Sequence, residues 1–374
     1  MMSETNINAT ENQPKNILNS KLIATVNVGV NPTAMAITSD STKLYVANGN
    51  NYGIAGSDTV TLIDLKTFMP ILTISSGTFN QPYTVTLSKD ETKAYATNSN
   101  ASTISIIDTA TNQVTGTIDG FNGPSGMVIT PDGTKAYVNN YGASTAIPSG
   151  SGNTVSVVDL IGGKIIEEIT LSEYTQAAAP AAIAISPKGD FVYTANYTNG
   201  EPWQGTISKI STSTNTVVDT IGGAPFLASS PFLFGMFAIK IDASGKFAYL
   251  TNFGSNNFAP YGTTVCVIDL EQKTQSALIE LGIQPSGFDI TPDGLYGFVS
   301  NYNTLYSSGA PNYTGLTAGQ GTVNIIDLST NLLVPITINV GLSPGAILMS
   351  PDGKYAFVSN YTANTVSVIS VYGE

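Results

Sequence analysis

The chain has 374 residues, 42% of them hydrophobic and 11% charged, with 26 acidic residues against 14 basic ones and a formal net charge of −12. Every basic residue is Lys, which argues against a nucleic-acid partner, since such binders displace counterions with Lys/Arg clusters. The lack of His removes Ser-His-Asp chemistry and imidazole metal sites, and a single cysteine, Cys266, allows no internal disulfide.

Residues 1–20, MMSETNINATENQPKNILNS, are polar and Asn-rich; they predict a disordered tail with no apolar signal-peptide core. No run reaches the ~18 apolar residues of a membrane helix. Low charge with abundant Thr, Ser, Asn and Gly suits an extracellular or cell-surface protein, with the cytoplasm as the alternative. Residues 21–29, KLIATVNVG, have the pattern of a last strand with no companions before it.

From there one frame recurs seven times. Its signature segments are LYVAN (44–48), AYATN (94–98), AYVNN (136–140), VYTAN (192–196), YLTN (249–252), GFVSN (297–301) and AFVSN (356–360). An aromatic stands three positions before the final Asn each time: Tyr45, Tyr95, Tyr137, Tyr193, Tyr249, Phe298 and Phe357. Sixteen positions before that Asn stand Pro32, Pro82, Pro124, Pro180, Pro285 and Pro344, with Met236 in the fifth unit. Between Pro and Asn lie two strands split by a turn, as in ITPDGTKAYV (129–138), where Asp-Gly supplies the turn. After the Asn comes a gap of variable length, then a Thr-led β-branched strand such as TVTLID (59–64) or TVSVVD (154–159), then a fourth strand such as QVTGTIDG (113–120).

A unit of this kind is a four-stranded antiparallel meander with two apolar faces. Seven of them bury those faces by packing radially, so the expected fold is all-β, a seven-bladed β-propeller over residues 21–374. The chain ends after a third strand, TVSVISV (365–371), so the segment 21–29 is expected to complete the seventh blade and close the ring. The frame PxxxxxxPDGxxxYVxN followed by TVSVID resembles the YVTN β-propeller repeat, across about residues 21–371. That resemblance implies a surface-layer or extracellular propeller defined by its fold rather than by one activity. Some relatives bind DNA through basic and aromatic contacts, a pattern from which this acidic chain without Arg departs.

The gaps after the repeat Asn, at 49–57, 99–101, 141–152, 197–204, 253–262, 302–320 and 361–363, fall on one face of such a ring and contain one charged residue, Glu201. They carry Tyr141, Tyr197, Trp203, Phe253, Tyr261, Tyr302, Tyr306, Tyr313 and Tyr361, which makes these the candidate contacts for a protein or saccharide partner; packing of the loops is the competing role. The opposite face collects turn aspartates: Asp40, Asp90, Asp132, Asp293 and Asp352 from one set, Asp64, Asp108, Asp159, Asp269 and Asp327 from the other.

The column Asn48, Asn98, Asn140, Asn196, Asn252, Asn301 and Asn360 recurs in every unit and is read as structural, each amide bonding local backbone at the strand exit. Of the sequons at Asn8, Asn100, Asn196, Asn312 and Asn360, two belong to that column, and the pattern reads as incidental. Lys240 and Asp289 occupy one frame position in adjacent blades and are expected to pair. Cys266 reads as a buried small hydrophobe. No cofactor or metal is implied. The chain is read as a non-enzymatic binding or assembly module, with self-assembly open to it. The alternatives are a glycan-active enzyme using Glu173 and Glu201, with Asp58 on the same face, or an intracellular interaction scaffold.

Overall fold

The computed structural model describes residues 16–49, 57–142, 152–171, 178–198, 205–222, 236–254, 261–303 and 320–373. These form twenty-eight strands in seven antiparallel sheets of four, with one short 3-10 helix, Ile17–Asn19. Blade one runs outward from the ring axis through Pro32–Ile37, Lys43–Asn48, Thr59–Asp64 and Met69–Ser75. The other inner strands are Pro82–Leu87, Pro124–Ile129, Ala178–Ile185, Met236–Ile241, Pro285–Ile290 and Pro344–Met349; each touches the next, and the last touches Pro32–Ile37. Met236 pairs with Asn252 as Pro32 pairs with Asn48, so the fifth unit keeps the frame without its proline.

Blade seven is closed as expected. Its sheet order is Lys21–Asn27, Thr365–Ser370, Tyr355–Asn360, Pro344–Met349, and Thr25 stands opposite Ser367. Residues 16–20, placed in the tail by the sequence reading, are nevertheless docked on the ring. Asn16 caps the short helix, Ile17 is buried in the cluster of blades six and seven, and the Ser20 hydroxyl donates to the Ile17 and Val371 carbonyls. An apolar side chain with a cap before it is enough to dock this segment. Residues 1–15 lie outside the described residues.

The aromatic column lies in the core. Tyr45, Tyr137, Phe298 and Phe357 are fully buried, and the stacked pair Tyr249–Phe288, with ring centroids 5.1 Å apart, joins blades five and six. At the inner turns Gly133, Gly294 and Gly353 take positive φ, the geometry that Asp-Gly favours. Blades one and two place Ser41 and Glu91 there instead, at φ 56°. The Glu91 carboxylate accepts from the Ser39 backbone of blade one, and the Ser41 hydroxyl accepts from the Asp352 backbone of blade seven. These strained positions therefore carry contacts between blades.

Candidate functional site

The face carrying the exits of the repeat Asn is built by two positions: the residue after that Asn, and the residue after the inner-strand proline. Blade one has Gly49 at the first, where a Cβ would come 2.3 Å from the Pro82 carbonyl oxygen of the next blade. A side chain here reaches across the blade boundary. Ser99 does so in blade two, donating to the Pro124 carbonyl at 2.8 Å. In blades three, five, six and seven the position holds Tyr141, Phe253, Tyr302 and Tyr361.

Phe253 is buried. It stacks on Phe237 at 5.1 Å and meets Tyr302 edge-on at 5.6 Å, so aromatics of two adjacent blades form one cluster, with Phe237 still 41% exposed. Tyr83, on the inner strand of blade two, is a member of the face that the loop pattern does not reveal. Burial pushes its phenol well above the ordinary tyrosine value, and the phenols of Tyr141 and Tyr361 add to the shift. Tyr83, Tyr141 and Tyr361, from blades two, three and seven, thus belong to the same face of the ring. Tyr83, Tyr141, Tyr302 and Tyr361 are each half-buried, with part of their surface reachable.

The other sequence candidates fall differently. Tyr197 and Tyr261 were expected in loops, but both lie on strands, Phe191–Thr198 and Tyr261–Asp269, where Tyr197 pairs with Ala179 and Tyr261 with Gly254. Phe253 also lies on a strand, Phe247–Gly254. The second strand of each of these blades runs on past the repeat Asn because its backbone keeps pairing there, with the first strand in blade four and with the third in blade five. Trp203, Tyr306 and Tyr313 lie outside the described residues, as do Glu173 and Glu201. Asp58 has a backbone duty: its Oδ1 accepts from Gln81 N at 2.6 Å.

The Asn column bonds differently from expectation. Its amides donate chiefly to side chains of the third strand rather than to local backbone: Asn98 to Thr103 and Ser105, Asn140 to Thr154 and Ser156, Asn196 to Thr206 and Ser208, Asn360 to Thr365 and Ser367. Asn48 donates to Thr59 and Thr61 and also reaches backbone carbonyls, while Asn301 donates to Thr322 and Asn324. Asn252 donates to Thr264, and Cys266 stands where other blades carry the second acceptor. The Cys266 thiol is fully buried, and burial pushes it up to about 12, so it stays neutral. The hydroxyls of each third strand face the Asn because alternation puts Thr and the residue two further on to one side.

In most blades the residue before the Asn makes a contact that sequence reading missed. In five blades it accepts from an inner-strand N–H left over at a register shift and donates to an inner-strand carbonyl of the next blade. Thr84 N donates to Thr97, whose Oγ1 donates to the Ser125 carbonyl at 2.9 Å; Gly126 N donates to Asn139, whose Nδ2 donates to the Pro180 carbonyl at 2.5 Å. Thr251, Ser300 and Ser359 repeat the pattern onto Ser286, Gly345 and Thr33, the last crossing the ring closure. These relays satisfy buried backbone groups and fix the neighbouring inner strands under the aromatic face.

Lys240 Nζ lies 2.6 Å from Asp289 Oδ1. The other carboxylate oxygen of Asp289 accepts from Met349 N at 2.8 Å, so this buried acid ties the inner strands of blades five, six and seven. On the opposite face the turn aspartates accept within their own turns, Asp132 from Thr130 Oγ1 and Thr134 N and Asp327 from Ser329 N and Oγ, while Asp293 also accepts from the distant Tyr372 hydroxyl. Among the described residues, no group of His, Cys, Asp and Glu could hold a metal, and no helix is long and apolar enough to cross a membrane.

No protein-family model matches the chain, so the YVTN resemblance rests on the repeat frame itself. No curated protein matches it either. Among solved structures the chain is similar to a chain of the Kuenenia stuttgartiensis hydrazine synthase, with a TM-score of 0.73 and 21% identity over 91% of this chain and 96% of that one. At that identity the likeness is one of fold: a seven-bladed propeller.

Proposed function

We propose that the chain is a non-enzymatic binding module of the YVTN-repeat kind, at a cell or particle surface, which holds a neutral protein segment or saccharide against its aromatic face. One observation carries this reading: half-buried tyrosines from four blades, Tyr83, Tyr141, Tyr302 and Tyr361, share this face of the ring with the exposed Phe237. Phenols and phenyl rings offer flat apolar surface together with hydroxyl donors, the pairing that sugar rings and extended peptides use. The carboxylates of the opposite face are occupied by their own turns and offer a partner less.

The test is a binding screen with neutral oligosaccharides and with surface proteins, run on the wild type and on a variant with Tyr141, Tyr302 and Tyr361 all changed to Ala. The reading expects a ligand whose affinity falls about tenfold or more in the variant, with the far-ultraviolet circular dichroism unchanged. Binding that survives the triple change places the contact elsewhere. Turnover of an oligosaccharide that disappears on Glu201→Gln would replace this reading with the enzymatic one.

A further inference from the structure

The rim of the ring is chemically divided. The outer strands of blades two to five, Gln113–Asp119, Lys164–Thr170, Thr216–Gly222 and Thr274–Glu280, carry five acids: Asp119, Glu167, Glu168, Asp219 and Glu280. Those of blades six, seven and one, Leu332–Leu342, Lys21–Asn27 and Met69–Ser75, carry none, and Lys21 is their one charge. The blade-seven strand touches both of the others. This arc exposes a denser set of large apolar side chains, with Leu332 66%, Met69 62%, Ile71 54%, Leu333 41%, Leu22 40% and Ile23 37% accessible, against Ile166 and Val218 on the outer strands of the acidic arc. Contiguous exposed apolar surface on a protein with a net charge of −12 is a feature that calls for a partner.

The backbone edges differ within the arc. All three strands carry a register shift, that of Lys21–Asn27 between Leu22 and Ala24, but the flanking strands also carry a proline, Pro70 and Pro335, which keeps an edge strand from pairing. Lys21–Asn27 has no proline and presents its outer edge along the middle of the arc.

We propose that two copies of this chain associate through this arc about a two-fold axis, the outer edges of their Lys21–Asn27 strands pairing antiparallel while the apolar side chains of blades six and one pack on either side. Charge selects the second copy as the occupant. Two copies, each at −12, repel wherever acids face each other, and this arc is free of acids on its outer strands. It offers no basic cluster to an acidic partner. Antiparallel pairing in full register sets Lys21 opposite Asn27 of the other copy, so the two lysines stand about 20 Å apart. A two-fold interface uses the same patch twice, which an uncharged apolar patch with one free edge allows.

The experiment is sedimentation equilibrium of the full chain from about 1 μM to about 1 mM, in low and high salt. A dimer is expected, and salt should tighten it by screening repulsion between the acidic bodies. Leu22→Glu and, separately, Ile71→Glu should weaken it about tenfold or more, whereas Ile166→Glu, an exposed rim change in blade three, should leave it unaltered. Ile71→Glu lies off the closing strand and keeps the test available if Leu22→Glu does not fold. A monomer throughout the range overturns the proposal. So does association that ignores the variants, open-ended assembly beyond the dimer, or a monomer that instead binds vesicles of neutral phosphatidylcholine.

Discussion

Tyr45 and Tyr137 occupy one frame position with different fates for the hydroxyl. Tyr137 donates to Asn215 Oδ1 at 2.6 Å, and Asn215 in turn donates to Glu167, whereas the Tyr45 hydroxyl is buried with no hydrogen-bond partner. Blades six and seven use Phe at the same position. Tyr137→Phe should therefore lower stability by about 1 kcal/mol, while Tyr45→Phe should be neutral or stabilising, because it removes a desolvated group that gains nothing. Urea unfolding of the two variants checks both signs. The relay residues make a sharper case. Thr97→Val keeps shape but strands the Thr84 N–H and the Ser125 carbonyl, and should cost about 1–3 kcal/mol in the same measurement. Lys240→Met leaves the buried Asp289 carboxylate without its cation and should cost more than Asp289→Ala, which strands Met349 N but leaves the Lys240 amine, 43% exposed, free to return to water; the same unfolding measurement decides the order.

At the scale of the element, the inner and outer turns rest on carboxylates acting as acceptors. Hydrogen bonds from Thr130 and Thr134 hold the Asp132 carboxyl below its ordinary value; those from Thr38 and Thr42 do so for Asp40, and those from Ser329 and Thr330 for Asp327. A carboxylate whose folded value is depressed contributes stability that is full above its unfolded value, near pH 3.9, and is lost as pH falls through the folded one. Thermal unfolding of Asp132→Asn should thus lie below wild type at neutral pH, with the gap closing below about pH 4. A gap that persists in strong acid would mean the residue acts through shape alone. These turns were legible in the sequence because Asp, Gly and the flanking hydroxyls recur in register. The relays were not: the residue before the Asn reads Ala47, Thr97, Asn139, Ala195, Thr251, Ser300 and Ser359, too varied for a motif, and its acceptor is far along the chain, 28 residues on for Thr97. Tyr83 escaped for a similar reason, since the other blades carry Thr, Ser, Ala, Phe, Ser and Gly at its position. Phe253 stood out as a loop aromatic, yet a continued strand and two ring neighbours bury it.

For the whole molecule, stability turns on a seam between residues far apart in sequence, with Ser20 bonded to Val371 351 residues away. The seam is held by Lys21–Asn27 on Thr365–Ser370, by Asn31 N on Asn364 Oδ1 at 2.8 Å, and by Val26, buried among Met35, Leu44, Phe357, Val366 and Val368. Each of the other blades is a continuous stretch of chain, so its fourth strand returns through a short turn if it detaches. The strand of blade seven returns only by closing a loop the size of the whole protein, although such entropy grows slowly, at about 0.6 kcal/mol per doubling of length. The seam is therefore where local opening should begin. Val26→Ala removes two methyl groups from its core and should speed hydrogen exchange in Lys21–Asn27 and Thr365–Ser370 while leaving Thr154–Asp159 of blade three at its wild-type rate. Ile118→Ala, at the matching position of blade two, should show no such confinement to blade seven. Equal acceleration in every blade after Val26→Ala would mean that the ring opens only as a whole, and that the seam is as cooperative as any continuous blade.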